Sequence, residues 1–336
     1  MESGMQAVCF DQCGLPAEVL AVRERDASNP DAGEVRVRML ASPINPSDLM
    51  FVQGSYGQQP VFPAIPGFEG VGIVEASGGG LLGKFMIGKR VAVLNRRGGN
   101  WAEQVVLPAN QVVPLARSLS IEQAATFFIN PMSAVVMSEK IHRLRRGEWL
   151  LQSAAGSALG RMMIRLGRET GFRTLNIVRR AEQIDELCSL GADDVIVFDA
   201  STDHPDELVQ RILRQTGGVR CAIDPVGGIV GSALCRCLRE RGRLLVYGSL
   251  AEQPLQLSPR TLITSRAAVE GFWLGPWMLT RSLPSKLRLI RRVTQLIQRG
   301  ALTSEVSEIF ALPEIRAAVA AATAPSRTGK VLLRMR

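Results

Sequence analysis

The chain has 336 residues, 46% of them apolar, and a net charge of +9. At roughly 150 residues per domain that is room for two domains with sizeable cores, and so apolar a composition excludes a disordered chain. The basic residues are scattered rather than gathered into a stripe, and only 5% of residues are aromatic. That argues against a nucleic-acid surface and for a polyanionic small molecule as the partner class.

The N-terminal stretch M-E-S-G-M-Q-A-V-C-F has neither a basic segment leading into an apolar one nor an Arg-rich amphipathic pattern. No apolar run approaches the roughly 20 residues that span a bilayer. A cytoplasmic protein without a membrane partner is therefore expected. Residues 34–40, E-V-R-V-R-M-L, alternate as a half-buried strand does. The segments G-V-G-I-V-E-A and K-R-V-A-V-L follow, separated by S-G-G-G-L-L-G. Prolines 43, 46, 60, 63 and 66 keep long helices out of this part, which reads as β-rich up to about residue 122.

From Ile121 the pattern is helical, capped by Ser120 and interrupted at Pro131. Strands and helices then alternate. Strands are expected at 148–153, 174–179, 194–198, 220–224 and 243–248. Helices are expected at 159–171, up to Leu190, at 206–216 and at 228–240. Such βα alternation implies a parallel, doubly wound α/β sheet. A further amphipathic helix follows, S-K-L-R-L-I-R-R-V-T-Q-L-I-Q-R-G, with Gly300 as its C-cap. The closing G-K-V-L-L-R-M reads as a strand returning to the first domain.

The stretch W-L-L-Q-S-A-A-G-S-A-L-G-R-M-M-I is strand, small-residue turn, then helix. Small residues let backbone approach a pyrophosphate, and a helix N-terminus offers free amides. Ala155, Ser157 and Gly160 hold the three key places of the dinucleotide fingerprint. After the next strand stand Arg179 and Arg180, with no carboxylate before Glu182. A ribose 2′-phosphate wants arginine there and a ribose diol wants an acid, so NADPH is the expected cofactor. Six cysteines without a C-x-x-C pair, and only two histidines, leave no zinc pattern. They read as buried reduced thiols.

These pieces resemble the medium-chain dehydrogenase/reductase superfamily over essentially the whole chain. Asn45-Pro46-Ser47-Asp48 and Gly67-Phe68-Glu69 stand where its zinc-dependent members carry ligands, so the zinc-free branch is the closer likeness. Within that branch I-N-P-S-D (44–48), Q-G-S-Y-G (53–57), I-N-P (129–131) and G-F-W-L-G-P-W (271–277) are similar to the mitochondrial-type 2-enoyl thioester reductases. The resemblance implies a GroES-like catalytic domain, 1–122 with 272–336, and a Rossmann NADPH domain, 123–271. It implies Tyr56 as proton donor. It implies cofactor contacts from Asn130, from Gly156, Ser157, Ala158 and Leu159, and from Arg179 and Arg180. It adds Tyr247, Gly248, Ser249 and Leu250, then Phe272, Trp273 and Leu274, and Lys330. Ala158 departs from the family's usual glycine. A homodimer joined through the Rossmann sheets is implied too.

The chemistry expected is hydride from NADPH to Cβ of an enoyl thioester, on coenzyme A or an acyl carrier protein, and a proton to Cα. A phenol, with an ordinary pKa of about 10, is protonated at neutral pH and can serve as acid. An NADPH:quinone or enone reductase needs the same fold, and a non-catalytic cofactor-binding homologue is the third possibility.

Overall fold

The computed structural model of the chain describes residues 4–324 and 328–335. The first three residues of the N-terminal stretch considered above lie outside them. The chain forms two compact units, Met1–Ile129 with Ser304–Arg336, and Asn130–Thr303. The expected divisions at 122 and 272 thus move to 129 and 303. Residues 272–303 join the second unit because the helix Leu283–Gln298 is tied there by side chains. Arg292 donates to Glu139 at 2.8 and 2.9 Å and Arg299 to Glu169 at 2.9 Å. Its apolar residues Leu289, Val293, Leu296 and Ile297 are buried, and Gly300 follows with φ +81°, the left-handed turn a glycine makes at low cost.

The first unit is built on β1 (Met5–Cys9), β2 (Ala21–Arg25), β3 (Glu34–Pro43), β4 (Glu69–Ser77), β5 (Arg90–Leu94), β6 (Gln104–Pro108) and β7 (Val112–Pro114). The second carries β8 (Trp149–Gln152), β9 (Arg173–Val178), β10 (Asp194–Val197), β11 (Val219–Asp224), β12 (Leu238–Val246) and β13 (Ala268–Gly271). The chain then adds β14 (Val306–Ala311) and β15 (Lys330–Arg334) to the first unit.

In the first unit β1 and β2 pair antiparallel, and seven strands form a sheet in the order β14-β15-β3-β4-β5-β7, with β6 on β3. The alternation of β3 is met in full: Val35, Val37 and Met39 are buried and the residues between them are partly exposed. Glycine in β4 allows close pairing with β3, since a Cβ on Gly72 would stand 2.4 Å from the Arg38 carbonyl oxygen. β15 pairs antiparallel with β3, Leu332 opposite Pro43.

The second unit has an all-parallel sheet in the order β10-β9-β8-β11-β12-β13. That is the doubly wound dinucleotide-binding order, with its reversal between β8 and β11. The expected helix at 228–240 is shorter, Gly228–Arg236. Val219 and Leu238 are partners across β11 and β12, which draws 238–240 into a strand. The helical stretch from Ile121 breaks at Thr126–Phe128 rather than at Pro131. Pro131 lies in the first turn of the helix Ile129–Val135, where a missing N–H leaves no bond unmade.

Candidate functional site

The expected site residues fall into two sets, one in each unit. In the first unit the helix Pro46–Gln53 starts at Asn45, whose backbone carbonyl takes the Asp48 amide at 3.0 Å and whose own amide donates to Asp48 Oδ2 at 2.7 Å. The helix ends at Gly54, whose φ of +77° turns the chain so that the Ser55 and Tyr56 amides both reach the Met50 carbonyl. A Cβ on Gly54 would stand 2.8 Å from Cys13 Sγ. Tyr56 is half-buried, its ring 5.1 Å from that of Phe68 at a 38° tilt. Of the two glycines flanking this loop, Gly54 has the left-handed φ. Gln59 Nε2 donates to the Gly54 and Tyr56 carbonyls and braces the loop from its far side.

Behind this loop lies a buried polar network. Glu69 is 1% exposed and accepts from Asn45 Nδ2 (3.0 Å), the Phe128 amide (3.2 Å) and the Ile129 amide (2.9 Å). Asp48 is fully buried and accepts the Phe68 amide at 3.0 Å. Lys330, 5% exposed, donates to Asn45 Oδ1. Burial pushes the Asp48 carboxyl up to about 7, against the pull of the Asn45 and Phe68 amides. Burial raises Glu69 too, and the Lys330 charge opposes that most strongly. Lys330, expected at the cofactor, thus has its ammonium inside this network. Asn45-Pro46-Ser47-Asp48 and Gly67-Phe68-Glu69, the two places where zinc ligands would stand, are here its backbone-tying arms. Their donor set does not fit zinc. Phe68 has no ligand atom, and among the described residues no group of three or more His, Cys, Asp or Glu is placed to hold a metal.

In the second unit the remaining expected residues other than Asn130 gather at the carboxyl ends of the parallel strands, where doubly wound sheets bind ligands. Ser153–Ser157 form the turn after β8. Ser157 caps the helix Ala158–Thr170, accepting the Gly160 amide at 3.1 Å. A Cβ on Gly160 would stand 2.4 Å from the Ala155 carbonyl oxygen, so glycine lets the helix close on the turn. Ala154 adopts φ +47°, a strained value for a residue with a Cβ. Buried Arg161 ties the turn from beneath: Nε donates to the Gly156 carbonyl at 3.0 Å and the guanidinium pairs with Glu186. Ala158 opens the helix in a half-buried position, and Leu159 behind it is buried.

Arg179 and Arg180 follow β9, the first exposed and the second half-buried, and neither makes an ion pair among the described residues. The end of β12 runs beside the end of β11, with the Tyr247 amide on the Asp224 carbonyl (2.9 Å) and the Leu250 amide on that of Pro225 (3.0 Å). Gly248 permits this, since its Cβ would stand 2.7 Å from the Pro225 oxygen. Ser249 and Leu250 are exposed. The Phe272 amide bonds the Val246 carbonyl at 2.7 Å, which sets Phe272 and Leu274, both buried, and half-exposed Trp273 beyond β13. Asn130 stands in the first turn of the helix Ile129–Val135, half-buried.

Sequence reasoning missed Asp224. It is buried, accepts the Ser153 hydroxyl and the Val226 and Gly227 amides at 3.0 and 2.9 Å, and so joins the β8 and β11 ends at the sheet's reversal. Its signal is an acid closing an apolar strand, C-A-I-D-P-V-G-G. The Tyr247 hydroxyl is closed off beside Ser157 with no partner at hydrogen-bond geometry. Burial, then the nearby Asp224 charge, push it well above the usual phenol range, so it stays a donor. An unspent donor beside a capped helix start, a glycine-tight turn and two unpaired arginines fit a phosphorylated dinucleotide.

Comparison with known proteins agrees with both units. Residues 31–117 match the alcohol dehydrogenase GroES-like domain and residues 158–291 the zinc-binding dehydrogenase domain. The chain is 32% identical over 335 residues to the mitochondrial enoyl-[acyl-carrier-protein] reductase of Homo sapiens, covering 98% of this chain and 89% of that one. Among solved structures, a Bacillus thuringiensis protein provisionally described as an NADPH:quinone reductase superimposes with TM-score 0.90 at 32% identity, over 99% of each chain. The mitochondrial 2-enoyl thioester reductase heterodimer of Candida tropicalis superimposes with TM-score 0.82 at 25% identity, over 99% of this chain and 100% of that one.

Proposed function

The chain belongs to the zinc-free medium-chain dehydrogenase/reductase family, and we propose that this oxidoreductase reduces the 2,3 double bond of an enoyl thioester with NADPH. The observation that carries the proposal is Tyr56, a half-buried phenol held by the Gly54 turn and backed by the Phe68 ring where a zinc ligand would stand. The name of the human relative, alike along nearly the whole chain, supports the substrate class.

Bound NADPH supplies the hydride that goes to Cβ. The turn Ser153–Ser157 and the amides opening the helix Ala158–Thr170 hold the pyrophosphate, with Gly156, Ser157, Ala158 and Leu159 facing it. Arg179 and Arg180 pair with the 2′-phosphate. Asn130, Tyr247, Gly248, Ser249, Leu250, Phe272, Trp273 and Leu274 complete the cofactor's surroundings. Tyr56 donates the proton to Cα as charge develops on the thioester oxygen. The acyl group is carried on coenzyme A or an acyl carrier protein. The active form is a homodimer joined through β13, an edge strand of its sheet; a dimeric name among the similar structures supports assembly. Among the described residues no helix is long and apolar enough to cross a membrane. All six cysteines are free, which fits a reducing compartment such as the cytoplasm; recovery in a mitochondrial fraction would instead place it with its curated relatives.

The Bacillus thuringiensis likeness favours a second reading, reduction of quinones or enones. Purified protein separates the two: oxidation of NADPH with crotonyl-CoA or a longer enoyl-CoA supports the proposal, and turnover of quinones alone overturns it. Binding of NADPH with neither activity points to a non-catalytic homologue. Within the proposal, Tyr56→Phe lowers kcat at least about 100-fold while NADPH affinity stays near wild type; an unchanged kcat removes Tyr56 from the mechanism.

A further inference from the structure

A side chain outside every expected contact lies on the phosphate turn. Gln183 is half-buried in the short 3₁₀ turn Ala181–Gln183 that follows Arg179 and Arg180. Its carboxamide crosses directly over Gly156: a Cβ there would stand 2.0 Å from Gln183 Nε2 and 3.1 Å from Cδ. Gly156 has no left-handed φ to require glycine, so the space taken by Gln183 accounts for it. The amide makes no hydrogen bond among the described residues, although it lies beside the amides of a helix start. Its sequence neighbours Glu182, Asp185 and Glu186 are acids, and Glu186 is neutralised by Arg161. Gln183, the uncharged member of this run, is the one that reaches the turn. A carboxylate in its place would repel a phosphate, whereas an amide N–H is a donor with no other use.

We propose that Gln183 is a cofactor-binding residue that donates its side-chain N–H to the pyrophosphate of the dinucleotide, and that Gly156 is glycine to admit it. This rests on the cofactor reading above. Arg179 and Arg180 then serve the 2′-phosphate that distinguishes NADPH, and Gln183 the diphosphate common to NADPH and NADH. Opposite Gly156, Gln183 turns a generic phosphate turn into one closed from the β9 side.

Fluorescence titration of the purified protein with NADPH and with NADH tests this, with thermal unfolding of each variant to verify folding. Wild type binds NADPH; if it binds neither nucleotide, the cofactor reading falls and this inference with it. Gln183→Ala weakens both nucleotides by a similar factor of about tenfold or more, as loss of a hydrogen bond to a charged group does. Gln183→Glu weakens both further, and its deficit relative to Gln183→Ala shrinks as salt rises, because salt screens the repulsion between carboxylate and phosphate. Gly156→Ala, which displaces the carboxamide, weakens both as well. Unchanged affinity in Gln183→Ala overturns the proposal. So does tighter binding, which would make Gln183 an obstruction, and so does a loss confined to NADPH, which would put the amide on the 2′-phosphate.

Discussion

Lys330→Met is the most informative single substitution, because it separates a network role from a cofactor role. The Lys330 ammonium is 5% exposed, bonds Asn45, and is the strongest influence opposing the effect of burial on Glu69. Methionine keeps most of the side-chain length and removes the charge. Removing one partner of a buried ion pair typically costs about 3–5 kcal/mol, since the other charge is left uncompensated. Glu69 retains three N–H donors, from Asn45, Phe128 and Ile129, so the loss falls at the lower end, about 3 kcal/mol. That is roughly a hundredfold in the folding equilibrium. A two-unit chain need not unfold in one step, so the assay is peptide-resolved hydrogen exchange across β3 and β15, where opening of the first unit is read directly. Adding Glu69→Gln to the Lys330→Met variant recovers part of the loss, because the uncompensated Glu69 charge is then gone. A loss below about 1 kcal/mol, together with a tenfold or larger rise in the NADPH Kd, would refute the network reasoning and support the cofactor contact expected of Lys330.

Two further predictions rest on single atoms of the structure. Asp48 has its folded pKa raised to about 7; a raised acid binds its proton more tightly when folded, so its contribution is present at low pH and is lost as pH rises from about 4 towards 7. Asp48→Asn removes that proton uptake, so its Tm varies less between pH 5 and pH 8 than that of wild type; equal slopes would refute this. Gly160→Ala places a Cβ 2.4 Å from the Ala155 oxygen and 2.7 Å from its Cα. Neither backbone atom can yield without moving the turn, so NADPH affinity drops at least about tenfold and stability by about 1–3 kcal/mol; wild-type values in titration and thermal unfolding would show that the turn tolerates opening.

Much of the architecture is written locally. Val35, Val37 and Met39 alternate because one face of β3 is buried, and that period of two is visible in E-V-R-V-R-M-L. The succession of β8 to β12 with helices between them is visible for the same reason, each segment carrying its own period. Ser157 is legible as a cap and Gly160 as the close-approach glycine, since both act on neighbours within a few residues. Tyr56 is reached through the motif Q-G-S-Y-G, in which Gly54 ends the helix Pro46–Gln53.

What was not legible depends on partners far apart in the chain. Lys330 and Asn45 are 285 positions apart, and only the pairing of β15 with β3 brings that cation into the network, where its charge opposes the effect of burial on Glu69. A short strand's period says which face is buried, never which strand lies beside it. Residues 272–303 joined the second unit through Arg292 and Arg299, two arginines among many whose partners no periodicity marks. Nothing in the local sequence marks Gln183, whose amide meets Gly156 only because the turn after β9 lies against the turn after β8. From sequence alone came the β-rich part, the βα alternation and the dinucleotide turn, because each is encoded by residues close in the chain, while the family resemblance supplied the candidate acid. The buried network and the closing of the phosphate turn were decided by tertiary structure, because desolvation and close contact act on neighbours in space.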